Sequence, residues 1–73
     1  MKNKSTNIIN WVVVCINEFA RNWKLTPKAA FQYLQANGGI GFLTEHYDAE
    51  HLLSIDDTVD DLSIICRNNG GNL

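Results

Sequence analysis

The chain has 73 residues, 45% of them hydrophobic, 19% charged and 10% aromatic, with five glycines and one proline; this composition folds, and the length leaves room for one domain but none for a deep multi-walled catalytic pocket. A chain this short buries only ~60% of its unfolded surface, so a second protein is a natural supplement to its stability. The formal charge of −2 argues against general nucleic-acid binding and hides a split: residues 1–37 carry five cations against Glu18, net +4, whereas residues 38–73 carry Arg67 against seven acids, net −6.

The start, Met1-Lys2-Asn3-Lys4 followed by the apolar run Ile8 to Ile16, has the outline of a secretion signal. No small-x-small cleavage pattern follows it, and Glu18, Arg21 and Lys24 continue at helical spacing, so a cytoplasmic protein is expected. The uninterrupted apolar stretch Trp11 to Ile16 is far shorter than the ~20 residues a membrane span requires. A first helix is predicted from Thr6 to Trp23, capped by Ser5 or Thr6. Ile8, Val12, Cys15, Ile16, Phe19 and Trp23 form its inner stripe at i, i+3, i+4 spacing. Trp11, Val13 and Val14 lie off that stripe, and a helix apolar on so much of its circumference is either central or covered by another chain.

Leu25-Thr26-Pro27-Lys28 marks the next helix start, because the Thr26 hydroxyl caps the first free amides and Pro27 suits the first helical position. The second helix should run from Pro27 to Ala36, with Ala30, Phe31, Leu34 and Tyr33 inward, and end at Asn37-Gly38-Gly39, where Gly38 supplies a left-handed residue. A third helix is expected from Ile40 to Ala49 or His51, with Ile40, Leu43 and Tyr47 as its buried stripe and Phe42 beside it. Asp56-Asp57-Thr58 offers caps for a fourth helix from Thr58 to Arg67 that buries Val59, Leu62, Ile65 and Cys66. Residues 1–5 and 68–73 are expected to be flexible flanks of a domain over 1–73. The fold class is all-α, a compact bundle of about four short helices.

Few residues carry chemistry. Cys15 and Cys66 sit within apolar runs and read as buried free thiols, with a bridge between the first and last helices as the alternative; no zinc pattern accompanies them. His46 and Glu50 share a helix face, but His46 and His51 diverge, so pairing of these imidazoles with neighbouring acids is the simpler account and neither metal nor cofactor is expected. Gly38-Gly39-Ile40-Gly41 lacks the lysine and the preceding strand of a phosphate-binding loop. No nucleophile and base stand at helpful spacing, and the chain is not expected to be an enzyme. Two short helices joined by a glycine turn also suggest a helix-turn-helix with Arg21, Lys24 and Lys28 on phosphates. Its second helix would hold Glu45, Asp48 and Glu50 without one cation, which DNA repels.

The segments Trp11-Val12-Val13-Val14-Cys15-Ile16-Asn17-Glu18-Phe19-Ala20, Leu25-Thr26-Pro27-Lys28-Ala29-Ala30-Phe31-Gln32-Tyr33-Leu34, Ile40-Gly41-Phe42-Leu43-Thr44-Glu45-His46-Tyr47-Asp48 and Ser54-Ile55-Asp56-Asp57-Thr58-Val59-Asp60-Asp61-Leu62 resemble the small bacterial family known as domain of unknown function 3791. The likeness covers about residues 8 to 66. It departs from the family at Leu52-Leu53 and at Gly38-Gly39. The resemblance implies an all-helical protein without an assigned catalytic site, encoded beside a companion that resembles ADP-ribosyltransferases, and hence a paired, toxin-neutralising role.

The function expected is therefore a non-enzymatic protein–protein interaction module, antitoxin-like toward such a companion, with a helix-turn-helix DNA-binding regulator as the alternative. Its contact residues, chosen on charge and aromatic exposure, are Trp11, Tyr33, Asp48, Glu50, Asp56, Asp57, Asp60 and Asp61. A homodimer is the other occupant expected for the surplus apolar surface.

Overall fold

The structure, a computed structural model, describes residues 4–73, and side chains from Asn7 onward. Five helices follow one another: α1 (Lys4–Trp23), α2 (Pro27–Ala36), α3 (Gly39–Glu45), α4 (Tyr47–Glu50) and α5 (Ile55–Asn68), with no strand among the described residues. The all-α bundle is as expected. The long α1 packs against α2, α3 and α5, and α3 is clasped between α2 and α5. The core is drawn from these four helices: Cys15, Phe19 and Ala20 of α1, Ala30 and Leu34 of α2, Leu43 of α3, and Val59, Leu62 and Cys66 of α5.

In α1 the stripe dictates the buried face. Cys15 and Phe19 are fully enclosed, while Ile8, Val12, Ile16 and Trp23 are half-buried along its edges. The helix begins at Lys4, so Ser5 and Thr6, expected at its start, lie within it. It closes through Lys24, held at φ 56°, a left-handed conformation that costs a non-glycine residue free energy. The compensation is a pair of bonds: Leu25 N–H reaches the Ala20 carbonyl at 2.8 Å and Lys24 N–H the Arg21 carbonyl at 3.3 Å, the Schellman closure.

Both ends of α2 fall where its sequence puts them. Thr26 Oγ1 accepts from Ala29 N–H at 3.1 Å and Pro27 takes the first turn; at the other end Gly38 adopts φ 80°. Ala30 and Leu34 are buried, but Phe31, expected inward, is 39% exposed.

The single third helix expected from Ile40 is instead two. The chain is α-helical from Gly39 to Glu45, breaks at His46 (φ −108°, ψ 21°), and resumes for one turn in α4. Neither glycine nor proline causes the break. Tyr47 is held there from two sides, its ring edge-on to Trp11 of α1 at 5.4 Å and stacked on His51 at 4.3 Å.

The last helix begins three residues before the expected Thr58, because Ser54 is its cap: Ser54 Oγ accepts from Asp57 N–H at 3.1 Å, with Asp56 and Asp57 in the first turn. Thr58, expected as a cap, is fully buried, and its hydroxyl donates to the Glu50 carbonyl at 3.3 Å. Residues 68–73, expected to be flexible, are tied back onto the bundle. Gly70 (φ 101°) closes α5, Gly71 N–H reaches the Cys66 carbonyl at 2.8 Å, Leu73 N–H donates to Tyr33 Oη at 3.0 Å, and Asn69 Nδ2 donates to the Asn37 carbonyl at 2.9 Å. Of the flank 1–5, residues 1–3 lie outside the described residues and Lys4 and Ser5 belong to α1.

Candidate functional site

The eight residues expected to contact a partner do not form one face. Trp11 and Tyr33, expected to be exposed, are half-buried: Trp11 packs on Tyr47, and Tyr33 stacks on Phe19 at 5.8 Å while its hydroxyl holds Leu73. Asp48 is exposed on α4. Around α5 the acids diverge. Asp56 and Asp60, four apart, line a groove of about 380 Å³ with Val59 and with Glu18, Arg21 and Asn22 of α1. Asp61 turns the other way and lines a cleft of about 220 Å³ with Glu50, Phe42, Ile64 and Ile65. Asp57 is exposed and lines neither.

The larger groove already contains its own cation. Arg21 Nη1 donates to Glu18 Oε1 at 3.0 Å, an exposed i, i+3 pair of small energetic weight. The smaller cleft differs because one of its carboxyls is out of the solvent. Glu50 is only 8% exposed, and its Oε1 is buried without a hydrogen-bond partner. Burial, then a hydrogen bond with Asp61, then the Asp61 charge push the Glu50 carboxyl above its ordinary value of 4.5, with the charge of His46 opposing them. The Glu50 carboxyl thus keeps its proton to higher pH than an exposed glutamate would.

This arrangement fixes the sign of a pH effect. A carboxyl whose folded value is raised binds its proton more tightly in the folded chain than in the unfolded one. Its contribution to stability is fully present below the unfolded value and is lost as pH rises through the raised folded value. Glu50→Gln keeps the shape and removes the charge, so thermal melts of the variant should decline less than those of the parent as pH rises above 4.5. At pH 7 the variant should be more stable by ~1 kcal/mol, the lower end for relieving an unsatisfied buried group, or ~4–8 °C in melting temperature. A variant that melts lower than the parent at pH 7 would mean that the native carboxylate is fully compensated.

The charge of Glu50 argues for the surface, yet the sequence carries a signal of its burial. Leu43, Tyr47 and Glu50 stand at i, i+4 and i+7, so Glu50 continues the buried stripe of α3 across the break at His46. The helical path persists there, with Glu50 N–H bonded to the His46 carbonyl at 2.9 Å.

The remaining chemical groups are occupied. His51 Nδ1 donates to the Tyr47 carbonyl at 2.6 Å and the ring of His46 packs on Phe42 at 5.0 Å. Among the described residues no group of three His, Cys, Asp or Glu side chains is arranged to hold a metal ion. Cys15 and Cys66 are both free and buried. Burial, with the Glu50 charge second, pushes the Cys15 thiol up to about 12. Burial also raises Cys66, against a bond from the Gly39 backbone that lowers it. Thiols held neutral in this way are poor nucleophiles. Among the described residues no helix is long and apolar enough to cross a membrane.

A family model described as protein of unknown function (DUF3791) matches residues 10–69. No curated protein and no solved structure matches the chain.

Proposed function

Because the chain belongs to the DUF3791 family, whose description assigns no reaction, we propose from its surface that it is a non-enzymatic interaction module. Its acidic C-terminal half binds a protein partner. The observation that carries this reading is large apolar side chains left in solvent among acids. Leu52 (78% exposed) and Leu53 (41%) lead directly into the acidic first turn of α5, and Ile64 (53%) lies on the same face of that helix as Asp57 and Asp61, at i, i+4 and i+7. An interface core covers such side chains and a charged rim steers the encounter.

The partner we favour is the companion implied by the family resemblance, a protein similar to ADP-ribosyltransferases, with this chain as its neutralising subunit in the cytoplasm. Mixing the two purified proteins should give a co-eluting complex in size exclusion that weakens between low and moderate salt, as charge-steered association does. Separate elution at both salts overturns the reading. Light scattering on the chain alone distinguishes a homodimer that covers its own apolar surface. Retention on duplex DNA at low salt would instead favour a helix-turn-helix regulator, against which stands the lack of any Lys or Arg in α3 and α4.

A further inference from the structure

We infer that the cleft formed by Phe42 of α3, Glu50 of α4 and Asp61, Ile64 and Ile65 of α5 receives the guanidinium group of an arginine presented by a partner protein. The inference rests on the interaction reading above and names the chemistry of the contact.

Three observations converge on that occupant. Glu50 is the most buried of the five lining residues, and its Oε1 has no hydrogen-bond partner. Buried polar atoms in folded chains are almost always satisfied, so an orphaned carboxyl oxygen in so small a core calls for a donor from outside the chain. Asp61, half-buried, supplies a second carboxyl on the same cleft from a different helix. The remaining lining is apolar: Phe42, Ile64 and Ile65. Two carboxyls beside an aromatic ring and two aliphatic side chains match a planar, weakly hydrated, multiply donating cation better than a compact ammonium, which keeps its water.

The chain does not fill the cleft from its own cations with described contacts. Arg21 pairs with Glu18 and Arg67 Nη2 donates to the Leu73 carbonyl at 3.2 Å. The groups that face Glu50 are Asp61 from α5, Cys15 from α1 and His46 at the start of its own turn. His46 is the sole group among them that carries positive charge on protonation. A guanidinium beside Glu50 favours its ionised form, so binding should release the Glu50 proton and tighten as pH rises.

The test uses the whole chain and N-acetyl-argininamide as the probe, followed by nuclear magnetic resonance at pH 7 and constant ionic strength, with N-acetyl-lysinamide as the comparison. Saturable shifts confined to the Glu50 and Asp61 carboxyls and the Ile64 and Ile65 methyls are expected, stronger with the arginine probe. Glu50→Gln and Asp61→Asn should each weaken binding about tenfold, the scale of a hydrogen bond to a charged group, while Glu18→Gln, on α1 and outside the cleft, leaves it unchanged. Asp61→Asn changes a half-buried side chain and keeps the test open should the Glu50 variant fold poorly. Unsaturable shifts spread over Asp56, Asp57 and Asp60, or equal binding of the lysine probe, overturn the assignment. The companion experiment reads a different failure. A complex there that ignores Glu50→Gln and Asp61→Asn overturns the arginine cleft alone, and saturable probe binding without any complex overturns the interaction reading alone.

Discussion

Phe19→Ala should remove ~3–5 kcal/mol of stability, the usual cost of emptying a buried phenylalanine site. Phe19 is fully enclosed, its ring stacked on Tyr33 at 5.8 Å and tilted against Trp23 at 6.4 Å, so truncation strips two aromatic neighbours of their packing surface at once. The total available to a chain of this length is on the order of 4–11 kcal/mol. One substitution in α1 therefore removes about a quarter of it or more. At ~4–8 °C per kcal/mol, the helical circular-dichroism signal should melt at least ~12 °C lower than in the parent. A loss under ~1.5 kcal/mol would show that Tyr33 and Trp23 collapse into the vacancy, the one route by which such costs shrink.

Gly39→Ala and Gly41→Ala, two residues apart in α3, should shift stability in opposite directions. Alanine is worth ~1 kcal/mol over glycine inside a helix, and at Gly41 nothing lies within 4 Å of an added Cβ, so that gain should be realised. At Gly39 the same atom would stand 2.9 Å from Leu34 Cδ2, 3.1 Å from Cys66 Sγ and 3.2 Å from Leu34 Cβ. Leu34 and Cys66 are both fully buried and have little room to retreat. Overpacking of this kind costs ~1–3 kcal/mol, which exceeds the propensity gain over most of its range. Gly39 is therefore a packing requirement of the α2–α3–α5 junction, whereas Gly38, at φ 80°, is a conformational one. Denaturant midpoints of the two alanine variants on opposite sides of the parent are the expected result, and a stabilised Gly39→Ala would contradict the close packing of α3.

What the sequence shows plainly, and what it conceals, follows from where the deciding interaction lies. The limits of α2 are legible because both are local chemistry: a hydroxyl and a proline at one end, Asn37 and Gly38 at the other. The enclosed side chains Cys15, Phe19, Leu34, Leu43, Leu62 and Cys66 follow from helical period alone. The break at His46 does not, since Tyr47 is fixed by a ring of α1 that lies far away in sequence. Ser54 was overshadowed by the richer run Asp56-Asp57-Thr58, although its hydroxyl stands in the correct position for Asp57 N–H. The composition of the tail suggests a free end, whereas Gly70 has the geometry of a helix terminator and Tyr33 provides the anchor. At the candidate site the net acidity of the second half was apparent. Its division by α5 into a groove with Asp56 and Asp60 and a cleft with Glu50 and Asp61 was not, because counting charges ignores the side of the helix on which each one falls.

The two tryptophans give this architecture its own pair of optical reporters. They stand twelve positions apart on α1, about 18 Å along the axis at 1.5 Å per residue, and each looks out on a different joint: Trp11 meets Tyr47 of α4, and Trp23 Nε1 donates to Ser63 of α5 at 3.4 Å. Replacing either one leaves a single indole whose emission follows one seam of the bundle. The lag between the two signals then separates local fraying of the short α4 turn from the cooperative loss of the core.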